Sequence, residues 1–296
     1  MRISVLTPCF NAAPFLNRAI DSVRAQNRTA EHLVADGGST DQSVSILAAR
    51  SSELTWWVSE PDRGQADALN KALARASGDI IGWLNADEYY EPDIFDLVAR
   101  QFEQDPDLCV VYGGINLVLT SGQRIRTSYP ARFDYEICAF NSPIITNCAA
   151  FFRRDRLVSC GGFDTSYQFA MDAEMYLRFM KGGAKWKRIL SPLANFTLHP
   201  ASKTSTMQQV MREETMRMRR REFPHYSDRQ FRQAWKRASR RLQWSLLRDG
   251  LIWEKLWFNT AIRPRYKNYF GDEGPQIPIV GPLASYFASR IRLTPT

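Results

Sequence analysis

The chain has 296 residues, of which 44% are hydrophobic and 24% charged, and its 39 Lys and Arg against 31 Asp and Glu give a net charge of +8. These proportions exclude an intrinsically disordered chain and allow a sizeable core. No segment reaches the roughly 20 consecutive apolar residues of a membrane-spanning helix, and the N-terminus has no signal-peptide pattern. The five cysteines lack zinc-site or disulfide spacing. We therefore expect a cytoplasmic protein.

The first hundred residues alternate between apolar runs and amphipathic segments. Apolar runs predict strands, and apolar residues at helical spacing predict helices, giving strands at 3–6, 32–35, 56–58 and 80–84 and helices at 13–26, 44–48 and 65–76. We expect Thr7 and Pro8 to end the first strand. This alternation predicts βαβ units, and so an α/β fold with a mostly parallel mixed sheet flanked by helices.

Polar clusters follow three of the predicted strands, at residues 8–11, 36–41 and 85–88. Ligands of such sheets bind beyond the carboxyl ends of the strands, so we expect the three clusters to meet at one edge. Gly37 and Gly38 allow a tight turn there, although a plain strand–turn–helix connection explains them equally well. The sequence contains neither a GxGxxG motif nor a P-loop motif, so it does not favour a dinucleotide-binding site or a P-loop site.

Asp87 and Glu88 follow the fourth predicted strand directly. Adjacent carboxylates at a strand end suit a hard divalent cation that also contacts phosphate oxygens. The alternative is structural: Glu88 begins a helix whose acidic first turn is residues 91–93. That alternative accounts for Glu91 and Asp93 better than it accounts for Asp87.

Four segments make the sequence recognisable, and they read VLTPCFNAAPFLNRAIDSVRAQ, HLVADGGSTDQS, SEPDRGQADALNKALARASGDIIGWLNADEYYEP and ITNCAAFFRRDRLVSCGGFDTSYQFAMDAEMYLR. In this order and spacing they closely resemble glycosyltransferase family 2, whose catalytic domain has the GT-A fold, a Rossmann-like α/β fold. The resemblance extends over about residues 2–205 and ends near FTLHPASKTS. It implies a GT-A catalytic domain at 1–205, with a nucleotide-sugar half at about 1–100 and an acceptor and catalytic half at about 101–205.

The resemblance also implies an activity. Members invert the sugar's anomeric configuration as they transfer it from a nucleoside-diphosphate donor, here a UDP-sugar by preference, to the hydroxyl of a glycan or lipid-linked acceptor. A divalent metal, Mn²⁺ or Mg²⁺, usually takes part, and the products are polysaccharides or glycolipids. By position, the donor-binding residues implied here are Pro8, Phe10, Asp36, Ser39, Arg63, Gln65, Asp67, Asn85 and Ala86. Asp36 corresponds to the carboxylate that holds the base.

The family's Asp-x-Asp metal motif corresponds to Asn85-Ala86-Asp87. The resemblance implies that Asp87 is a metal ligand and that His199, after the last strand of the domain, reaches the metal or diphosphate. A lone histidine is as often structural, and Lys203 nearby suits a phosphate. Asn85 brings no charge, which weakens a metal site unless Glu88 compensates.

Asp172 corresponds to the catalytic base of the family, a carboxylate that accepts the proton of the acceptor hydroxyl as it attacks the sugar. Its structural alternative is a helix N-cap, and both roles are compatible. Relatives often carry an acidic residue before this base, but here that residue is Met171. Asn85 and Met171 together motivate a second hypothesis, a nucleotide-sugar-binding or regulatory protein with impaired catalysis. Asn147 corresponds to a polar residue facing the acceptor, and Trp83 is expected in the core.

The positive charge is confined to the C-terminal part: residues 200–296 contain 19 Lys and Arg against 8 Asp and Glu, whereas residues 1–199 contain 20 against 23. Two helical patterns occur there, at 207–223 and after a capping box formed by Ser227 and Gln230. We expect 206–296 to be a basic helical appendage, with an apolar stripe at Phe231, Trp235, Ala238, Leu242 and Leu246 and further aromatics at Trp244, Trp253, Trp257 and Phe258. Two interpretations of this region are open. In the first, the apolar stripe packs on the body of the protein; in the second, the region rests peripherally on the anionic inner face of a membrane. No nucleic-acid-binding module accompanies the charge, so a nucleic acid partner is not expected.

Overall fold

The computed structural model describes residues 1–141 and 145–252. Within this part of the chain nine strands form one sheet. They are β1 (Ile3–Cys9), β2 (Ala30–Asp36), β3 (Trp56–Ser59), β4 (Ile80–Trp83), β5 (Tyr89–Tyr90), β6 (Leu108–Leu119), β7 (Arg124–Ser128), β8 (Ala150–Arg153) and β9 (Lys185–Leu198).

Helices cover both faces of this sheet. They are α1 (Ala13–Arg24), α2 (Ser43–Ala49), α3 (Gln65–Arg75), α4 (Ile94–Gln104), α5 (Tyr135–Asn141), α6 (Arg154–Ser159), α7 (Met171–Lys181), α8 (Lys203–Thr206), α9 (Gln208–Glu222) and α10 (Asp228–Arg248). The strands and helices predicted for the first hundred residues are therefore confirmed, with shifts of a few residues at their ends.

The sheet order is β3-β2-β1-β4-β8-β6-β9-β5, with β7 paired to β6. Strands β3, β2, β1 and β4 run parallel, and β8 lies antiparallel between β4 and β6. The long strand β9 runs parallel to β6 and pairs antiparallel with β5. The predicted class, an α/β fold with a mixed and mainly parallel sheet, is confirmed.

The first strand does not end at Thr7 and Pro8, as predicted, but continues to Cys9. Pro8 is opposite Ala35 in the parallel pairing of β1 with β2. On the other side, β4 pairs with β1 only as far as Leu6. Because Pro8 lies past the end of β4, its missing N–H leaves no ladder bond unmade there, and a proline is tolerated in the strand.

The alternative in which Glu88 begins a helix is wrong. Tyr89 and Tyr90 form the short strand β5, and α4 begins only at Ile94. Asp93 precedes that helix with a φ of 59°, in the left-handed region. The pairing of β5 with β9 thus holds residues 85–88 as a tight turn between two strands of the sheet.

The predicted capping box at the start of α10 is confirmed. The Ser227 hydroxyl accepts from the Gln230 backbone N–H, and the Gln230 side chain accepts from the Ser227 backbone N–H in return. Both helices of the C-terminal region pack on the sheet domain: Met218 of α9 and Phe231, Ala234 and Ala238 of α10 join the large core cluster that contains α7.

The rest of the predicted stripe packs on the body too. Leu242 and Leu246 are buried with Ala131 and Ile137, and Trp235 is partly buried against the large cluster. At the far end of α10, Arg188 of β9 donates to the buried carboxylate of Asp249 at 2.7 Å. The predicted aromatics Trp253, Trp257 and Phe258 lie outside the described residues, as does everything else after Ile252. No helix in the described segments has the length and hydropathy needed to cross a membrane.

Candidate active site

An open cleft of about 900 Å³ lies at the carboxyl edge of the parallel strands. Its walls come from the ends of β1 and β4, the N-terminus of α3, the turn 85–88, residues 168–172 and residues 196–204. This volume is in the range of small-molecule binding sites. The cleft is where an α/β sheet binds its ligands, at the edge predicted from the sequence.

The polar clusters after β1 and β2 are joined by hydrogen bonds. The Asn11 backbone N–H donates to the Ser39 hydroxyl at 2.7 Å, and the Asn11 side-chain oxygen accepts from the Thr40 backbone N–H at 2.9 Å. Asn11 has a positive φ of 49°, which an asparagine tolerates better than most residues. The two loops therefore form one rigid rim of the cleft.

Eight of the predicted site residues line the cleft, namely Pro8, Phe10, Gln65, Asn85, Ala86, Asp87, Asp172 and His199. Four do not: Asp36, Ser39, Arg63 and Asp67 lie outside its lining. Arg63 is largely exposed and pairs with Asp67 at 3.1 Å. Phe10 is 64% exposed at the mouth, which leaves its ring free to contact a planar ligand.

Asp36 is buried beneath the rim rather than facing the cleft. Its carboxylate accepts from the backbone N–H groups of Gly38 and Ser39 and from the hydroxyls of Ser39 and Ser59. Its neighbour Gly37 does line the cleft, and a Cβ there would lie 2.5 Å from the Asp62 carboxylate. Asp36 thus holds the turn after β2 in shape by these four hydrogen bonds.

Asn85 is held by two donors. Its side-chain oxygen accepts from Gln65 Nε2 at 2.5 Å and from Trp83 Nε1 at 2.8 Å. Trp83 is buried, as expected, but it also lines the cleft and supplies this hydrogen bond. The amide oxygen of Asn85 is therefore engaged within the protein, and the residue fixes the shape of the turn 85–88.

Asp87 and His199 meet across the cleft. His199 Nε2 lies 2.9 Å from Asp87 Oδ2, and the Phe15 ring lies 4.6 Å from the imidazole, centroid to centroid. The Asp87 side chain is 30% exposed, whereas Glu88 is buried and its Oε2 accepts from the Asn85 backbone N–H. Both residues line the cleft, and Asp87 is the more exposed of the two carboxylates.

This donor set fits a cation that the substrate helps to hold. Among the described residues no group of three His, Cys, Asp or Glu side chains gathers as a metal site. Mg²⁺ and cations like it keep several waters and are often bound by one or two carboxylates together with substrate phosphates. A single exposed carboxylate beside an imidazole meets that requirement, with the remaining positions left to phosphate and water.

Asp172 is the second residue of α7, not its N-cap, which is Ala170. Its Oδ1 accepts from the Ala173 backbone N–H at 2.7 Å, and its side chain is partly exposed toward the cleft. Loss of hydration raises the pKa of Asp172 to about 6, against the hydrogen bonds at the start of the helix, which lower it. A carboxylate of this pKa is a stronger base than an ordinary aspartate and is still ionised at neutral pH. Met171, which precedes Asp172, is buried in the large core cluster and also contributes to the lining of the cleft.

The sequence singled out Lys203, Gln65 and Asn147, but it indicated neither Gln168 nor the hydrogen bonds that join these segments. Lys203 Nζ donates to Gln65 Oε1 at 2.8 Å and to the Gln168 carbonyl at 3.2 Å, and Gln168 Nε2 donates to the Arg63 carbonyl at 2.9 Å. Asn147 also lines the cleft; it is 8% exposed, and its Nδ2 has no hydrogen-bond partner among the described residues. These contacts join segments far apart in the chain, so no local motif indicates them.

The mixed α/β sheet, the cleft at its carboxyl edge, the acidic turn and the position of Asp172 agree with the GT-A glycosyltransferase expected from the sequence. The family model of glycosyl transferase family 2 matches residues 4–159. The chain belongs to this family, and the protein is a glycosyltransferase.

Curated relatives agree with this assignment. An uncharacterized glycosyltransferase of Mycobacterium tuberculosis is 32% identical over 179 residues, which are 60% of this chain and 68% of the relative. The chondroitin synthase of Pasteurella multocida is 29% identical over 203 residues, which are 67% of this chain but only 20% of that enzyme. The chain thus resembles one part of a much longer synthase.

Solved structures share the fold. The S. aureus TarS fragment 1–349 in complex with UDP-GlcNAc has a TM-score of 0.61 at 17% identity and covers 93% of this chain and 82% of the fragment. The mannosyltransferase PcManGT of Pyrobaculum calidifontis, in complex with GDP-Man and Mn²⁺, has a TM-score of 0.59 at 19% identity and covers 97% and 79%. At this identity the likeness shows the GT-A fold alone.

Proposed function

We propose that the protein is an inverting glycosyltransferase that moves a sugar from a nucleoside-diphosphate donor to an acceptor hydroxyl. The observation that carries the proposal is the position of Asp172: a carboxylate with a raised pKa lines the same cleft as Asp87 and His199. Direct attack by the acceptor on the anomeric carbon inverts the configuration and needs only one base. Asp172 supplies an ionised carboxylate of suitable pKa for that role.

The donor binds along the wall of the cleft that is formed by the ends of β1 and β4. Phe10 lies at the exposed mouth, where its ring can stack on the nucleobase, and the turn 85–88 faces the diphosphate. Lys203 supplies a positive charge near the same place and is the cationic group best placed to compensate the leaving diphosphate. Asp36, Ser39, Arg63 and Asp67 support the donor site from outside the lining of the cleft, the first two by holding the turn after β2 and the last two as an ion pair at the start of α3.

Asp87 would hold the divalent cation, Mn²⁺ or Mg²⁺, with His199 beside it. When bound, the cation neutralises the negative charge that develops on the leaving diphosphate. His199 keeps the Asp87 carboxylate oriented through its Nε2, at 2.9 Å. PcManGT, which shares the fold, is known with GDP-Man and Mn²⁺ bound, and this supports the proposal.

The acceptor approaches from the side of Asp172 and Asn147. Asp172 accepts the proton of the attacking hydroxyl, and the unpartnered Nδ2 of Asn147 is available to a sugar hydroxyl. The chondroitin and hyaluronan synthases among the relatives support an acceptor that is a growing glycan, and TarS in complex with UDP-GlcNAc supports a UDP-sugar donor. In this proposal the side chains that line the cleft come from residues 1–205, with the donor half at about 1–100 and the acceptor half at about 101–205.

Donor and metal binding are tested together by thermal unfolding with UDP, GDP or dTDP, each with and without Mn²⁺. We expect UDP with Mn²⁺ at about 100 times its Kd to raise Tm by about 5 to 10 °C. Asp87→Asn should remove the Mn²⁺-dependent part of this shift, because it removes the carboxylate charge that faces the cleft. Asp107→Asn, the same charge change at an exposed site, is the matched control. An unchanged Mn²⁺-dependent shift in Asp87→Asn contradicts the metal assignment.

Transfer itself is tested on the product. NMR of the glycoside formed from UDP-GlcNAc or another stabilising donor should show the anomer opposite to that of the donor. Retention of the anomeric configuration contradicts the inverting mechanism. Failure to form a glycosidic product with any acceptor favours the alternative of a nucleotide-sugar-binding protein with impaired catalysis.

A second part of the proposal concerns the exposed face of α10. Trp244 is 69% exposed and Leu247 39% exposed, and the exposed cations Arg240 and Arg248 lie one helical turn on either side of Trp244. An aromatic residue between cations is suited to the interface of an anionic membrane. We therefore place the enzyme peripherally on the membrane that presents a lipid-linked acceptor.

Sedimentation with vesicles containing phosphatidylserine measures this docking. The double substitution Trp244→Ser with Leu247→Ser should weaken binding about tenfold or more, because two exposed apolar groups are lost. The control replaces the exposed apolar residues of the body, Val158→Ser with Leu190→Ser, and should leave binding unchanged. Equal sedimentation of both variants and the parent protein contradicts docking through this face.

A further inference from the structure

A buried carboxylate from α9 is bonded to the segment that precedes Asp172. Glu214 is 7% exposed. Its Oε1 accepts from the Gln168 backbone N–H at 2.7 Å, and its Oε2 accepts from the backbone N–H groups of Phe169 and Ala170 at 2.8 and 2.9 Å. Three consecutive backbone N–H groups that immediately precede α7 thus donate to one side chain, which lies more than forty residues further along the chain.

The segment 168–170 has no capping side chain of its own. Ala170 is the N-cap of α7 and cannot accept a hydrogen bond through its side chain. Buried backbone N–H groups without a partner are costly, and amides at the start of a helix have no intrahelical acceptor. A carboxylate is the acceptor best matched to them, because its two oxygens take all three bonds and its charge favours the N-terminal end of the helix.

The contact continues along one face of α9. One turn after Glu214, Arg217 donates to the Ser166 carbonyl at 2.6 Å, and its guanidinium lies 4.3 Å from the centre of the Tyr167 ring. One further turn on, Arg221 pairs with Asp164 at 3.1 Å. The helix therefore runs beside the whole loop 164–170 and fixes it at successive turns.

The same loop forms part of the wall of the cleft. Gln168 and Phe169 line it, and Asp172 follows Ala170 by two residues. The Gln168 carbonyl accepts from Lys203, which in turn donates to Gln65. A displacement of 168–170 would therefore move the carboxylate of Asp172 relative to the donor side of the cleft.

We propose that Glu214 is a positioning residue for the transfer reaction: by holding the amides of residues 168–170 it sets the place of the Asp172 carboxylate. The helical C-terminal region is then a structural part of the catalytic site. This inference rests on the proposed function, because it takes Asp172 as the base. A misplacement of a catalytic group by about 1 Å is enough to cost roughly 100-fold in rate.

The test compares three variants of the full chain. Glu214→Gln keeps the shape but places an amide NH₂ against backbone donors, and we expect kcat for turnover of UDP-GlcNAc to fall about 10- to 100-fold. The Kd of UDP, measured by calorimetry, should stay within about threefold, since the change reaches the donor side indirectly, through the hydrogen bond of Lys203 to the Gln168 carbonyl. Glu214→Asp keeps both acceptor oxygens and should recover activity to within about tenfold of the parent protein.

Glu213→Gln is the matched control, because Glu213 is the exposed neighbour on the same helix and loses the same charge. It should match the parent protein in every assay. Hydrogen exchange adds a readout independent of activity: the amides of 168–170 should exchange faster in Glu214→Gln and not in Glu213→Gln. Unchanged exchange at these amides overturns the structural basis of the proposal.

A double-mutant cycle with Asp172→Asn separates the possible failures. If Glu214 acts through Asp172, Glu214→Gln should cost little further activity in the Asp172→Asn background. An equal loss in both backgrounds, or a Glu214→Gln enzyme with the parent kcat, overturns the positioning role. If Asp172→Asn alone turns over like the parent protein, the base assignment itself is wrong, and the positioning role falls with it.

Discussion

Asp172→Asn is expected to lower kcat for sugar transfer by about 10²- to 10⁴-fold, the range typical of a lost general base. The amide is nearly isosteric and can still accept from the Ala173 backbone N–H, but it cannot take a proton from the acceptor hydroxyl. Donor affinity should be unchanged, because the proposed function puts the nucleotide on the wall formed by β1 and the turn 85–88. Steady-state kinetics together with UDP binding by calorimetry measure the two effects separately.

The pH dependence of the parent enzyme follows from the same residue. Burial raises the pKa of Asp172 to about 6, so below that pH the carboxyl is protonated and cannot act as a base. We expect kcat/KM to fall about tenfold per pH unit below 6 and to reach a plateau above it, as for a single ionisation. A profile that keeps its full value down to pH 5 contradicts the assignment.

Stability provides the folding control for this variant. The pKa of the Asp172 carboxyl is 3.8 when water surrounds it in the unfolded chain and about 6 in the folded protein, so the folded state binds more protons between these values. Stability is therefore lost as pH rises from about 4 to 6, and the deficit persists at neutral pH. Asp172→Asn removes this deficit, so its Tm at pH 7 should equal or exceed that of the parent protein. A large drop in Tm would mean that the kinetic loss reflects misfolding.

Truncation after Thr206 is expected to abolish both activity and cooperative folding. It removes the buried side chains of Met218, Phe231, Leu242 and Leu246, each of which stabilises the fold by about 1.5–3 kcal/mol, or about 6–12 kcal/mol together. That sum is comparable with the whole stability of a typical domain, about 5–15 kcal/mol. It also removes Glu214, and with it the acceptor for the amides of 168–170.

Thermal unfolding and near-UV circular dichroism measure this outcome. A chain ending at Ile252 is the matched control, because it keeps all contacts of α9 and α10 described above. A truncated chain that ends at Thr206, unfolds cooperatively and transfers sugar would show that the C-terminal helices are dispensable. Because the truncation exposes a core, membrane docking is better tested by the surface substitutions at Trp244 and Leu247.

The fold of the first hundred residues was predictable because its signals are local. Apolar runs and amphipathic spacing depend on neighbours a few residues apart, and they located the strands and helices to within a few residues. The end of β1 was missed, since proline usually interrupts a strand and only the short reach of β4 makes Pro8 acceptable there. The capping box of α10 was found for the opposite reason: Ser227 and Gln230 are three residues apart.

The site was predictable only in part. Residues such as Asp87 and Asp172 stand in motifs that a family resemblance can locate, and both line the cleft. The bonds made by Glu214, Lys203 and Gln168 join separate segments, so their roles depend on the tertiary fold and leave no local pattern. Asp36 and Ser39 lie behind the wall of the cleft because of the conformation of the turn after β2. The sequence predicts that a turn is present there but not its conformation.

The two hydrogen bonds at Asn85 have a consequence for how a cation is used. Gln65 and Trp83 occupy the amide oxygen, so position 85 keeps its place in the turn without a carboxylate, and Asn85-Ala86-Asp87 carries one acidic side chain where a pair of aspartates would carry two. Under the proposed function, the free enzyme then attracts a divalent ion weakly, and the diphosphate supplies the missing ligands. On that basis we expect the cation to bind more tightly in the presence of the diphosphate than to the free enzyme.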